Sequence, residues 1–318
     1  MPPSEHDHDL VVSAQTQYPG PLERSQAKLK RGKGDSTGTG GYRPGRPSAV
    51  ALEVPANYVR PDKRYILVEE SDKRFRLVGT TAAKISRVKL RFKLKPQAGV
   101  DNRVRITNTT AWPYSVHGHV IITYPDKKQY IGSGTMVNKH HVLTAGHVVY
   151  SKANGGWATS VQFNAAQNDG TVPFGSAFAT YLFSFKGWTD SQLRDYDTGM
   201  LILDRDLGKR TGWMGLITTS DGNLSNHQIT VAGYPGDKGG QQLWAATAPI
   251  VSVQGHQIGY NAYTKGGDSG SGVYGLWTGI NLEHVCADHV AGPNGIPNTG
   301  SRLARDKFDR IINEWFPK

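Results

Sequence analysis

Short runs in which hydrophobic and polar residues alternate begin at about residue 103 and recur along most of the remaining chain. A period of two puts successive side chains on opposite faces, as in a strand that is buried on one side. Turn-forming residues separate the runs, for example at 125–128 and 220–223. The clearest strand patterns lie at residues 120–124, 134–137, 141–144, 200–203, 229–232 and 248–253. Many short strands joined by turns predict an all-β barrel or sandwich.

The end of the chain has a different period. Leu303, Phe308, Ile311, Ile312 and Trp315 recur at the spacing of one helix face. This pattern predicts a C-terminal helix, over about 303–316, that packs on the β domain and closes it.

The N-terminal region does not resemble the β domain. Residues 1–50 are rich in Gly, Ser, Pro, Lys and Arg and contain few large apolar residues, which predicts a disordered basic tail. Residues 51–97 contain two strand patterns, at 64–68 and at 87–95. In the second pattern basic and apolar residues alternate strictly, so one face would pack on a neighbouring domain and the other would present cations to water.

Positive charge is concentrated in this N-terminal region. The formal net charge is +11, and residues 1–99 contribute 19 Lys and Arg against 10 Asp and Glu, a net of +9. A basic region next to Gly and aromatic residues can bind nucleic acid, but it is equally compatible with a propeptide or a solvated tail. No RNA- or DNA-reading motif is present, so we do not expect nucleic acid as a partner.

Composition limits the remaining possibilities. No run of about 18 apolar residues is present, so we expect no membrane span, and the first ten residues lack the apolar segment of a secretory signal. Cys286 is the single cysteine, so no intrachain disulfide can form. Its histidine neighbours allow a nucleophile or a metal site, but we interpret it as a small hydrophobe on a buried strand. We expect no metal or other cofactor, and a monomer; the compartment stays open.

Three segments carry the chemistry: TAGH at 144–147, DYDTG at 195–199 and GGDSGSG at 266–272. A serine hydroxyl is a poor nucleophile until an imidazole takes its proton and a carboxylate orients that imidazole. His147, Asp197 and Ser269 supply one of each group. Each segment alone has an ordinary structural interpretation, as a Gly-rich turn, a structural histidine or a capping aspartate. Their joint occurrence, each beside a strand pattern, favours a catalytic triad.

The chain resembles the glutamyl endopeptidases, a bacterial and fungal branch of the chymotrypsin-like serine proteases. The order His, Asp, Ser is that of chymotrypsin-like enzymes, and the resemblance covers about residues 98–316. Besides the triad segments, it rests on residues 105–114, GYPGDK at 233–238, Trp244 and residues 298–302. It implies two six-stranded antiparallel β-barrels, with His147 and Asp197 on the first and Ser269 on the second. It also implies an oxyanion hole formed by the backbone N–H groups of Gly267 and Ser269.

Substrate preference follows in part from the same resemblance. Trypsin-like enzymes carry an acidic residue six positions before the serine, where this chain has Tyr263, so a basic P1 residue is not supported. Thr264 and His289 match the hydroxyl and the histidine that contact a substrate carboxylate in glutamyl endopeptidases. The strand from Val290 to Gly292 would pair with the substrate backbone. These matches imply a preference for Glu, or Asp, at P1.

The resemblance also implies a division of the chain. Residues 51–97 become a propeptide segment that cleavage near residues 97–100 removes, because the new amine helps to bind acidic side chains in the family. Residues 98–318 then form the protease domain. Its first barrel spans about 103–208, its second about 209–302, and its terminal helix about 303–316.

Three departures from the family pattern keep alternatives open. Gly272 replaces a usual proline, and Asp268 replaces Asn or Gln, as in animal enzymes whose aspartate pairs with a new amino terminus. Ser133 and Val148 occupy the positions of a disulfide found in relatives. One alternative is a protease of this fold with another P1 specificity. The other is an inactive binding module with a basic arm.

Overall fold

The computed structural model describes residues 11–15, 66–69, 75–78, 100–277, 283–291 and 298–317. Val11–Gln15, inside the region predicted to be disordered, forms a strand that pairs antiparallel with Ser176–Phe185. Ile66–Glu69 matches the strand predicted at 64–68 and pairs with Phe75–Val78. The basic strand predicted at 87–95 and the rest of the predictions for 1–97 lie outside the described residues.

The first barrel is a closed ring of six antiparallel strands. Its strands are β1 (His117–Thr123), β2 (Gln129–Met136), β3 (His141–Ala145), β4 (Ser160–Ala165), β5 (Ser176–Phe185) and β6 (Thr198–Leu203). Along the ring, β1 pairs with β2, β2 with β3, β3 with β6, β6 with β5, β5 with β4, and β4 again with β1.

The second barrel closes in the same way. Its strands are β7 (Gln228–Gly233), β8 (Trp244–Val253), β9 (Gln257–Tyr260), β10 (Gly272–Leu276), β11 (Glu283–Ala291) and β12 (Asn298–Arg302). Around the ring the order is β7, β8, β9, β12, β11 and β10, and β10 pairs again with β7. The predicted pair of six-stranded antiparallel barrels is therefore confirmed.

Shorter elements join or extend the barrels. Gly215–Thr218 runs parallel to β11 and to Ile66–Glu69, and Val104–Arg105 pairs with β8. Tyr150–Ser151 and Gly156–Trp157 form a small hairpin. Single helical turns are Gly146–Val149, Lys186–Thr189, Gly208–Thr211 and Asp221–Leu224, and 3₁₀ turns are Tyr114–Val116, Lys152–Asn154, Arg194–Tyr196 and Gly236–Lys238.

The predicted C-terminal helix is present and bridges the barrels. An α-helical stretch, Arg305–Arg310, continues as a π-helical turn, Ile311–Trp315. Trp315 is fully buried and stacks on Phe183 and Phe185 of the first barrel. Aromatic side chains of this size dominate the energetics of such contacts. The helix is thereby held on the first barrel, while Lys307 donates to the Asp195 carbonyl oxygen in the β5–β6 loop and to the Ser301 hydroxyl of β12 in the second barrel.

Inward-facing apolar side chains fill both barrels. One cluster fills the first barrel and continues to the terminal helix, and a second lies inside barrel two around Ile229, Ile250 and Val273. Cys286 belongs to the second cluster, and its thiol donates to the Val273 carbonyl oxygen at 3.4 Å. Burial raises the pKa of this thiol to about 12. The cysteine is thus a buried strand residue, as the sequence predicts.

Candidate active site

The register of two barrel strands brings His147 and Asp197 together. In the β3–β6 ladder Thr198 lies opposite Ala145, so Asp197, just before β6, meets the residues just after β3. The Asp197 carboxylate accepts a hydrogen bond from the His147 backbone N–H at 2.7 Å and lies 2.9 Å from His147 Nδ1. Two contacts to one carboxylate fix both the backbone and the ring of His147.

Electrostatics at this pair favour a charged imidazole beside the carboxylate. Burial lowers the pKa of His147, but the charge of Asp197 and its hydrogen bond outweigh burial, so the net pKa lies above the ordinary value. The His147 side chain is still 30% exposed, whereas Asp197 is 2% exposed. The imidazole can therefore exchange a proton with a bound molecule while its partner stays shielded from water.

The turn that carries Ser269 packs directly on the first barrel. Ser133 N–H of β2 donates to the Ser269 carbonyl oxygen at 2.8 Å. Gly270 has φ +86°, and a Cβ there would come within 2.9 Å of Ala145 N, two residues before His147. Only glycine fits this backbone and this close approach. The turn that carries Ser269 is therefore docked against the end of β3, two residues before His147.

Two backbone donors in this turn are available. Among the described residues, the N–H groups of Gly267 and Ser269 have no hydrogen-bond acceptor. Gly267 has φ +102°, and a Cβ there would lie 2.9 Å from Gly236 N. Free amides in one turn are the arrangement that stabilises a developing oxyanion.

A cavity of about 240 Å³ opens beside the serine. Three residues predicted for the site, Ser269, His289 and Val290, line it together. Arg194 and Lys265 also line it, and the sequence analysis did not identify either one. The predicted contact residue Gly292 lies outside the described residues.

His289 is a buried, neutral donor in this cavity. It is 2% exposed, and its Nδ1 lies 2.7 Å from the Tyr260 hydroxyl. Burial, with a smaller contribution from the charge of His147, lowers the pKa of His289 to about 3. Burial likewise raises the pKa of Tyr260 well above its usual range, so the phenol keeps its proton. When Tyr260 donates to Nδ1, the proton of the neutral imidazole sits on Nε2.

Thr264 directly precedes Lys265 and is not among the residues that line this cavity, but its hydroxyl is unsatisfied. Its Oγ1 is buried and has no partner among the described residues, and the residue is 9% exposed. Buried polar atoms in folded proteins nearly always have a partner. A hydroxyl without one is a candidate for contact with a bound molecule.

Ser133, one of the departures from the family pattern noted in the sequence, stabilises the loop that carries Ser269. Its hydroxyl donates to the Gly267 carbonyl oxygen at 2.8 Å and accepts from the Tyr234 N–H at 2.9 Å. These bonds join the two barrels behind the serine turn. The departure noted in the sequence thus coincides with a hydrogen-bonded link.

Arg194, Lys265 and Tyr260 were not predicted from the sequence, and the signals available for finding them differ. Lys265 directly precedes the segment at 266–272 and Arg194 lies three positions before Asp197, so proximity to the motifs was an available signal. Tyr260 carried no such signal, because only the β9–β12–β11 pairing brings it to His289.

Two kinds of feature, a cluster of metal ligands and a membrane-spanning helix, are absent from the part of the chain that the structure describes. Within these residues no group of three or more His, Cys, Asp or Glu side chains gathers as a metal site would require. No helix among them is long and apolar enough to cross a bilayer.

Several known proteins are similar to this chain in sequence or in fold. The model of the trypsin family matches residues 103–294. A protein of Bacillus licheniformis named glutamyl endopeptidase is 32% identical over 73% of this chain and 73% of its own length. A Bacillus subtilis protein named extracellular metalloprotease is 35% identical over 67% of each chain. A solved structure titled as a Glu endopeptidase in complex with MPD covers 70% of this chain and 99% of its own, with 26% identity and a TM-score of 0.61.

Two closed barrels with a His, an Asp and a Ser at their junction define a chymotrypsin-fold serine endopeptidase. The chain belongs to the trypsin family, in its glutamyl endopeptidase-like branch. Its substrates are accordingly proteins or peptides.

Proposed function

We propose that this protein cleaves peptide bonds after acidic residues, with Glu preferred at P1, through a triad of Ser269, His147 and Asp197. The observation that carries the proposal is the cavity in which Ser269 and His289 lie side by side. The unsatisfied Thr264 hydroxyl and the name borne by the Bacillus licheniformis relative both support an acidic substrate.

In the proposed reaction the Ser269 hydroxyl attacks the scissile carbonyl carbon. His147 takes the hydroxyl proton and then gives it to the leaving amine, which departs as an acyl-enzyme forms on Ser269. A water molecule, deprotonated by the same imidazole, then hydrolyses the ester. Asp197 holds the imidazole through Nδ1 and stabilises its charged form, in keeping with the raised pKa of His147 that the nearby carboxylate produces.

The negative charge of the tetrahedral intermediate is assigned to the N–H groups of Gly267 and Ser269. Support comes from the absence of an acceptor for either group among the described residues. Each donor aimed at a developing oxyanion is worth about 3 kcal/mol of barrier. Gly267 has a left-handed backbone, and a Cβ there would meet the Tyr234 carbonyl oxygen and the Gly236 nitrogen, so glycine is needed for the loop to hold these amides in place.

Recognition of the P1 carboxylate is assigned to His289 and Thr264. Because the pKa of His289 is about 3 in the buried cavity, the imidazole acts as a neutral hydrogen-bond donor and not as a fixed cation. Positive charge comes instead from Arg194 and Lys265, which line the cavity. Hydrogen bonds from the buried groups and attraction to the two cations together favour Glu over an uncharged residue.

We further propose that the protease domain, residues 98–318, is released from an N-terminal propeptide that includes residues 51–97. Support comes from the excess of basic residues before residue 100 and from the near-neutral charge after it. Mass spectrometry of the active protein would identify its first residue. A terminus within about 97–100 would support this maturation step, and full activity of an uncleaved chain would contradict it.

The test of the proposed specificity is hydrolysis of matched peptides that differ only at P1. Glu and Gln form the decisive pair, because they have nearly the same shape and differ in charge. We expect kcat/KM for Glu to exceed that for Gln by about a hundredfold, which corresponds to about 2.7 kcal/mol at the transition state. Asp, Phe, Ala and Lys complete the series, and Ser269→Ala is the inactive control.

Variants connect the preference to the cavity. Thr264→Val preserves the shape of the side chain and removes its hydroxyl, so the Glu/Gln ratio should fall by about tenfold. Thr159→Val is the matched control, because it makes the same change on the first barrel, away from the cavity, where the Thr159 hydroxyl donates to Thr123 O at 3.1 Å. Equal cleavage after Glu and Gln would refute the acidic specificity, and activity that survives in Ser269→Ala would refute the triad.

A further inference from the structure

The carboxylate next to the proposed nucleophile faces a guanidinium from the beginning of the β domain. Arg103 Nη1 lies 4.0 Å from Asp268 Oδ2, and the two side chains are 2% and 4% exposed. Opposite charges shielded from water attract one another more strongly than the same pair on a surface. The cation that faces Asp268 in the described structure is therefore this internal arginine.

Two other carboxylates hold the guanidinium in place. Asp237 accepts bonds from Nη1 and Nη2 at 2.8 and 2.6 Å, and Asp101 accepts from Nε and Nη2 at 2.9 Å each. Bidentate contacts of this kind specify orientation as well as charge. Burial opposes the charge of Arg103, but its hydrogen bonds to Asp237 and Asp101 outweigh burial and raise its pKa above the usual value.

Asn102 and Arg103 also contact the beginning of the loop over 263–268, which leads to Ser269. The Arg103 guanidinium lies over the Tyr263 ring, 4.9 Å from its centroid. The neighbouring Asn102 accepts a hydrogen bond from the Tyr263 N–H through Oδ1 at 2.9 Å. Inside the loop, Asp268 Oδ2 accepts from the Lys265 N–H at 2.9 Å. Residues 101–103 therefore contact both ends of the loop over 263–268.

Asp268 lies between the two amides assigned to the oxyanion hole. Its side chain is directed inward, so the direction of this carboxylate influences the peptide planes on both sides. Burial raises the pKa of Asp268, and the charges of Asp237 and Asp101 raise it further. The hydrogen bond from the Lys265 N–H and the charge of Arg103 lower this pKa and offset part of the effect, so that it lies at about 7. Loss of Arg103 would leave a buried carboxylate facing two others with no nearby guanidinium, and the loop would have to rearrange or take up a proton.

We propose that Arg103 is a positioning residue for catalysis: held by Asp101 and Asp237, it fixes Asp268 and Tyr263 so that the amides of Gly267 and Ser269 converge on the oxyanion. The inference rests on the oxyanion role proposed for these amides, and it is independent of P1 specificity. In the animal enzymes that share this aspartate, a newly formed amino terminus holds it in place. Here the side chain of Arg103, inside the domain, takes that role.

The experiment compares Arg103→Gln, Arg103→Lys and Arg105→Gln in the protein as isolated, each with its own Tm. Arg105 is the matched control, because it lies two residues away and pairs at the surface with Asp169 at 2.6 Å. The readouts are kcat and KM on one peptide substrate, and Ki for a peptide boronic acid that imitates the tetrahedral intermediate. Wild-type hydrolysis that requires Ser269 is established first, so failure of the proposed function is recognised before any arginine variant is judged.

A positioning role predicts a fall in kcat with little change in KM. We expect Arg103→Gln to lower kcat by about 10- to 100-fold, with KM within about threefold and Ki raised in parallel with the loss of kcat/KM. Arg103→Lys keeps the charge without the fork and should fall between wild type and the Gln variant. Arg105→Gln should match the wild type.

Two outcomes would overturn the inference. One is an Arg103→Gln protein that folds and keeps kcat within about twofold of wild type. The other is a loss of activity confined to KM, with the boronic acid still bound as tightly. If Arg103→Gln does not fold, Arg103→Lys decides: an unchanged Tm with kcat at least fivefold lower supports the positioning role, and unchanged kcat contradicts it.

Discussion

Replacing Ser133 by alanine would remove two hydrogen bonds between the barrels while leaving the side chains of the proposed triad unchanged. The Ser133 hydroxyl donates to Gly267 O at 2.8 Å and accepts from Tyr234 N at 2.9 Å. All three residues are buried, and Ser133 is 1% exposed. Alanine therefore leaves one carbonyl and one N–H group without a partner and out of reach of bulk water.

The expected cost follows from those two groups. A buried polar group that loses its partner costs about 1–3 kcal/mol. Two such groups predict a decrease of about 2–6 kcal/mol in the free energy of unfolding. That is a large share of the 5–15 kcal/mol typical of a folded domain. Because one orphaned group is the Gly267 carbonyl, the peptide next to the oxyanion hole should also lose its orientation, and kcat should fall in the active protein.

Urea unfolding measures the first effect. The variant is made in a Ser269→Ala background, so that self-cleavage does not contribute to the transition. Ser252→Ala is the control, since Ser252 is an exposed serine on a barrel strand and its loss should change stability by less than about 0.5 kcal/mol. A decrease below about 1 kcal/mol for Ser133→Ala would show that the two hydrogen bonds do not link the barrels as argued.

Three further predictions follow from the charged groups of the site. Asp197→Asn should lower kcat by about four orders of magnitude and move the acidic limb of the kcat/KM profile to lower pH, because the carboxylate holds the pKa of His147 above its ordinary value; an unmoved limb in residual activity would contradict this. Burial lowers the pKa of His117 and of His289 to about 3, so both stay neutral in the folded chain while the unfolded chain binds protons below about pH 6.5. Stability is then complete above that pH and falls by about 1.4 kcal/mol per pH unit per histidine down to about pH 3; urea midpoints across this range measure the slope, which His117→Gln should reduce. Lys307→Met removes the buried ammonium that donates to the loop before Asp197 and to β12, and should lower the free energy of unfolding by about 1–3 kcal/mol; a midpoint equal to wild type would refute the anchoring role.

Local patterns in the sequence were sufficient to predict the strands, the terminal helix and the residue types of the proposed triad. Alternation of apolar and polar residues predicts strands because their side chains have a period of two, whatever the rest of the chain does. The three motifs at His147, Asp197 and Ser269 were visible for the same reason, since each lies in its own short segment. The number of barrels came from the family resemblance, because periodicity alone allowed a barrel or a sandwich.

Tertiary structure decided which side chains work together. The β3–β6 register brings Asp197 to His147, and strand pairing in the second barrel puts Tyr260 against His289 across 29 residues of chain. No local pattern encodes these distances. The same applies to Ser133, which reads as an ordinary strand residue but holds the Gly267 carbonyl 134 positions away.

Charge state was also settled by the folded environment. The sequence does not show whether His289 is a cation or a neutral donor. In the folded chain burial lowers its pKa to about 3, with no carboxylate to offset the cost of desolvation, so the neutral form prevails. Asp268 was visible in the sequence as a departure from the family pattern, but nothing there pairs it with Arg103, 165 positions away. Only the folded structure makes them a shielded pair. Sequence determines which groups are present and which local structure carries them, whereas their pKa values and partners depend on distances and solvent exclusion that exist only after folding.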